Sequence, residues 1–135
     1  MAHTNESLDS YYELVQKNGR LRSQDHAHRW STAVLKTLGF NLTGSTKKAL
    51  AKALPQPMAA DLTRVFWLLH FHNPNLTAQD FLTQASRRSG NTDIAFARYP
   101  TQAVFGGLKS MIDSQLSQRV SESLSAELRE IWDRA

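Results

Sequence analysis

With 135 residues, 41% of them hydrophobic and 21% charged, and only six Gly and four Pro, the chain can bury a core, and its composition excludes the disordered, collagenous and membrane-spanning classes. It has no cysteine, which removes disulfides, thiolate nucleophiles and sulfur-ligated zinc sites and fits a reducing compartment. The formal charge of +4 is unevenly spread: Lys17 to Arg64 holds nine Lys and Arg against two Asp, whereas Asp113 to Asp133 holds five acids and two Arg, an asymmetry that fits either an anionic partner or mutually attracting halves.

The opening stretch MAHTNESLDS has neither the basic start nor the apolar run of a signal peptide, so a cytoplasmic location is expected. Tyr11, Leu14 and Val15 then mark the apolar stripe of a first helix that Gly19 closes. Ser23 is placed to cap a second helix carrying Ala27, Trp30, Val34, Leu35 and Leu38, with Gly39 as its stop. Ser45 is the expected cap of a third helix with Leu50 and Leu54. The Leu54-Pro55-Gln56-Pro57 turn ends that helix and sets Pro57 in the first turn of a fourth, whose stripe is Met58, Leu62, Val65, Phe66 and Leu69. From Val65 to Phe71 the chain is apolar almost all round, as in a helix buried on more than one side. It reads as a central helix, or as a protein interface presenting Trp67, Leu68 and Phe71.

Thr77-Ala78-Gln79-Asp80 resembles a capping box and opens a fifth helix that Gly90 stops. Helices near Ile94 to Met111, Leu116 to Ser123 and Ala126 to Arg134 follow, the first of them kinked or restarted at Pro100. No stretch alternates with period two for long enough to predict a strand.

A shift of 70 residues aligns the two halves. It pairs Tyr11 with Phe81, Ala27 with Ala97, Ala33 with Ala103, Val34 with Val104, Leu38 with Leu108, Leu50 with Val120, Leu54 with Leu124, Met58 with Leu128 and Leu62 with Trp132. Apolar positions coincide while the polar ones between them do not, as expected of copies that kept their buried faces. The expected fold is therefore all-α, a single domain over residues 1–135. It packs two tandem diverged copies of a four-helix unit, at about 7–71 and 77–135, into one compact helical body.

The segments AVLKTLG at 33–39, LAKALP at 50–55 and Gln16-Lys17-Asn18-Gly19 resemble the DUF2267 family of bacterial proteins, as do QAVFGGLKSMI at 102–112 and SAELREIW at 125–132. The resemblance covers nearly the whole chain. The second copy departs from the first where Leu124-Ser125 replaces Leu54-Pro55. The family implies an all-helical fold and supplies no catalytic, cofactor or metal residues.

Arg20, Arg22, Arg29, Lys47, Lys48 and Lys52 are candidate polyanion contacts, or else a solvated face. His26 with His28, and His70 with His72, cannot each chelate one metal from a regular helix, because residues two apart diverge by about 200°. Ser23, Asp25 and His26 read as capping and not as a triad, and Gly106-Gly107 reads as a close helix approach and not as a phosphate loop. The leading expectation is a non-enzymatic protein-interaction module, homodimeric or with another protein partner, without cofactor, metal or membrane. The alternatives are a non-specific nucleic-acid or polyanion binder using a basic face, and a small enzyme or metal-binding protein.

Overall fold

The computed structural model describes residues 5–63, 75–91 and 93–135. Among them the chain forms eight helices and no strand: α1 (Asn5–Asn18), α2 (Gln24–Asn41), α3 (Gly44–Ala53), α4 (Gln56–Thr63), α5 (Ala78–Ser89), α6 (Ile94–Met111), α7 (Ser114–Ser123) and α8 (Ala126–Arg134). The apolar segment 65–71, with Trp67, Leu68 and Phe71, lies outside the described residues, as do His70 and His72.

The helices begin where local chemistry satisfies their first amides. Ser23 Oγ accepts from His26 N, Thr77 Oγ1 from Asp80 N, Asp93 Oδ1 from Phe96 N, Asp113 Oδ1 from Leu116 N and Ser125 Oγ from Leu128 N. The expected cap at Ser45 is corrected to Thr43, two residues earlier, which precedes α3 in extended conformation and bonds Thr46 instead of a backbone amide. α7 likewise starts at Ser114, earlier than the expected Leu116, because Asp113 caps it. α6 runs unbroken from Ile94 to Met111 with Pro100 inside it, so it does not restart there.

α2 and α6 cross at the centre of a compact body, and α1 and α5 each lie against both of them. α4 packs on α2 and α3, α8 on α5, α6 and α7, and α3 meets α7. Trp30, Val34, Leu35, Leu38, Phe81, Val104, Phe105, Leu108, Leu128 and Trp132 are fully enclosed in one core. Each large side chain so enclosed contributes roughly 1.5 to 3 kcal/mol by leaving water.

Of the glycines expected to stop helices, Gly39 has another task and Gly19 has a second one besides ending α1. α2 continues past Gly39 to Asn41, and a methyl group at Gly39 would strike the Leu62 carbonyl of α4. Gly39 therefore allows a close approach of helix to helix. Gly19 follows α1, but the left-handed residue is the next one, Arg20, with φ 58°; a Cβ at Gly19 would sit 3.1 Å from the Pro100 Cα of α6. Gly90 behaves as expected, with φ 83° at the end of α5.

Candidate functional site

The first cleft forms where α1, α2 and α4 converge, and it encloses about 400 Å³. Its walls are Leu8, Asp9 and Tyr12 from α1, His28 and Thr32 from α2, and Pro57, Ala60 and Asp61 from α4. Helical periodicity puts His28 and Thr32 on one stripe of α2, opposite the buried Ala27, Trp30 and Val34. The imidazole of His28 stacks on the Tyr12 ring, with centroids 3.5 Å apart and planes inclined by 19°. Thr32 Oγ1 donates to Asp61 Oδ2 at 3.1 Å, tying α2 to α4 across the floor. Burial, and then the Asp61 charge, raise the Tyr12 phenol above its ordinary value, so this hydroxyl is a neutral donor. Carboxylates, a stacked ring pair and two hydroxyls are thus gathered in one concavity, with no Lys or Arg among the described residues of its wall.

The second cleft lies where α5, α6 and α8 converge, encloses about 230 Å³, and is lined by Ala78, Arg98, Gln102, Glu127, Glu130, Ile131 and Arg134. Six of these residues stand 70 positions beyond residues of the first cleft: Leu8 and Ala78, His28 and Arg98, Thr32 and Gln102, Pro57 and Glu127, Ala60 and Glu130, Asp61 and Ile131. Leu8 and Ala78 are both aliphatic, whereas His28 and Arg98, Pro57 and Glu127, Ala60 and Glu130, and Asp61 and Ile131 differ in charge or polarity. Glu127 Oε1 accepts from the Ala78 amide at the start of α5, and Glu130 pairs with Arg134 at 3.2 Å on the exposed side of α8.

The six basic residues singled out in the sequence do not share one face. Arg20, Arg22 and Arg29 sit at the α1–α2 turn and the first turns of α2. Lys47, Lys48 and Lys52 sit on α3, which begins beyond the other end of α2, a helix roughly 27 Å long at 1.5 Å per residue. Lys48 and Lys52 are exposed, whereas Lys47 is partly covered and burial lowers its ammonium pKa. His26 lies among the arginines: partial burial first, then the charges of Arg29 and Arg22, hold its pKa below 6.5. His26 and His28 therefore occupy separate surroundings. No three His, Asp or Glu side chains come together as metal ligands among the described residues.

The first cleft escaped the sequence reading because its walls come from three helices that only folding brings together.

The model of the family described as "Uncharacterized conserved protein (DUF2267)" matches residues 9–131, and the chain belongs to that family. No curated protein matches it. No helix among the described residues is long and apolar enough to cross a membrane.

Proposed function

For this member of the DUF2267 family we propose a non-enzymatic interaction module, built from two diverged copies of a four-helix unit, that grips protein partners through two clefts of unlike chemistry. The observation that carries the reading is the pairing of the clefts across the 70-residue register. The copies are supported further by the helix bounds: α2 and α6 are both 18 residues, starting at 24 and 94, and α3 and α7 are both ten, starting at 44 and 114.

A duplicated scaffold that keeps its interior while diversifying its concavities suits recognition. Ala27 and Ala97, Val34 and Val104, and Leu38 and Leu108 are all buried, whereas the cleft residues exchange a carboxylate for Ile131 and an imidazole for Arg98. Such a change leaves the fold untouched and alters what each half binds. Either a second copy of this chain or another protein fits the reading.

A peptide array probed with the whole protein tests it. The expected result is two groups of retained peptides, one weakened about tenfold or more by His28→Ala and the other by Gln102→Ala, with thermal stability unchanged; a tenfold loss corresponds to about 1.4 kcal/mol. Retention of no peptide, or of peptides indifferent to both substitutions, together with a mass that stays monomeric at every concentration in sedimentation, rejects the proposal.

A further inference from the structure

Tyr99, on the second turn of α6, is the one large hydrophobic side chain that is exposed among the described residues, at 38%. The fold assembles cations around it. Arg20 follows α1, and the backbone there is pressed against α6 by the approach of Gly19 to Pro100; its guanidinium lies over the Tyr99 ring, 4.1 Å from the centroid. Arg98 is the neighbour of Tyr99 in the chain and is exposed. The rings of Tyr99, Phe96 and Trp30 follow one another at 6.0 and 6.2 Å, which brings the start of α2 alongside the start of α6. Arg29 precedes Trp30 in that helix, and Arg22 and Arg29 both act on His26 between them. Residues 20–29 and 93–99 thus contribute four arginines against two carboxylates, Asp25 and Asp93, the latter engaged in capping Phe96 N; Glu127 and Glu130, which share a cleft wall with Arg98, are engaged by the Ala78 amide and by Arg134.

From this juxtaposition we infer that the α1–α2 turn and the start of α6 form a binding surface for single-stranded nucleic acid, with Tyr99 and the Arg20 guanidinium as the stacking platform and Arg22, Arg29 and Arg98 as phosphate contacts. The surface goes beyond the peptide-binding reading, since it lies outside the first cleft and only borders the second at Arg98. Its composition selects the partner. All four cations are arginines, whose planar forks match phosphate in a bidentate way. An exposed ring overlaid by guanidinium offers a flat apolar face to an unpaired base, which a duplex keeps stacked inside. An acidic peptide would use the arginines and leave the ring idle. Lys47, Lys48 and Lys52, beyond the far end of α2, take no part.

The test is fluorescence anisotropy of a labelled oligo-dT single strand with the whole protein, over a salt series starting at about 20 mM, where phosphate contacts are strongest. Binding is expected, with log K falling against log salt at a slope of about −0.7 per phosphate contact, and Arg22→Gln with Arg29→Gln together making the slope shallower by about 1.4. Tyr99→Ala should weaken binding roughly tenfold with the slope unchanged, while Tyr99→Phe, which keeps the ring, restores it. The triple substitution of Lys47, Lys48 and Lys52 by Gln should change neither. The inference fails if no binding is seen at the lowest salt, if Tyr99→Ala binds like wild type, if the α3 lysines carry the affinity, or if duplex DNA or poly-glutamate binds as tightly as the single strand. Melting curves of each variant guard against reading misfolding as lost binding.

Discussion

Arg20 and Gly90 carry the same left-handed backbone at corresponding helix endings, φ 58° after α1 and φ 83° after α5. The hydrogen bonds around them match: Leu21 N donates to Gln16 O and Asn91 N to Ser86 O, each at 2.9 Å, closing the six-residue loop of a Schellman ending. Position 20 accepts this backbone with a full side chain, and the guanidinium over Tyr99 offsets part of the strain. At position 90 nothing lies within 4 Å of where a Cβ would be. Gly90→Ala should therefore cost about 1 kcal/mol through backbone strain alone, measured by urea unfolding. A melt identical to wild type would mean that this ending does not hold its left-handed turn.

Neighbouring glycines in α6 should respond with opposite signs. A Cβ at Gly107 would come 2.6 Å from Cε1 of Tyr11, a ring held in the core by its 2.6 Å hydrogen bond to Ser31, whereas one at Gly106 meets only the Ala135 carbonyl carbon at an ordinary 3.8 Å. Gly106→Ala should stabilise by up to about 1 kcal/mol through helix propensity, and Gly107→Ala should destabilise by roughly 1 to 3 kcal/mol through overpacking. Equal shifts in the two melting midpoints would contradict the packing of α1 on α6.

Buried hydroxyls provide a second contrast across the 70-residue register. Ser31 is paired with Tyr11, while Thr101, which aligns with Ser31, has no partner for its Oγ1, and Phe81, which aligns with Tyr11, has no hydroxyl to offer. Tyr11→Phe should cost about 1 to 2 kcal/mol, because it strips a buried group of its bond. Thr101→Val should be neutral or stabilising by about 1 kcal/mol, because it replaces an unpaired hydroxyl by a methyl of the same shape. A clear loss of stability in Thr101→Val would indicate that the hydroxyl is satisfied.

Stability should also fall on the acid side through His26. Its folded-state pKa lies below the ordinary 6.5, because burial and then Arg29 and Arg22 disfavour the charged ring. The unfolded chain therefore binds the proton first, and stability present above about pH 6.5 is lost as the pH drops through the folded value. Urea midpoints of wild type between pH 7 and pH 5 should decline more than those of His26→Gln. On the alkaline side, burial raises the Tyr11 phenol, so stability is intact below pH 10.0 and falls as the pH rises above it. Parallel acid limbs in wild type and His26→Gln would remove the role of His26.

Helix content and the ends of α6 and α8 were legible in the sequence because apolar periodicity and the start and stop signals act within one or two turns. Leu38 and Leu108 were legible as core positions for a similar reason: burial constrains side-chain size and polarity, and both are fully enclosed. Three things needed the tertiary structure. Gly39 marks a close approach to Leu62 and not a helix stop, and Gly19, which does follow the last residue of α1, also lies against Pro100; both approaches depend on how α4 and α6 lie against their neighbours. The six basic residues divide between the two ends of α2, because the length of that helix separates segments that are close in the chain. The clefts exist only where three helices meet, so Asp9, His28 and Asp61, far apart in sequence, become neighbours through interhelical geometry that no local signal encodes.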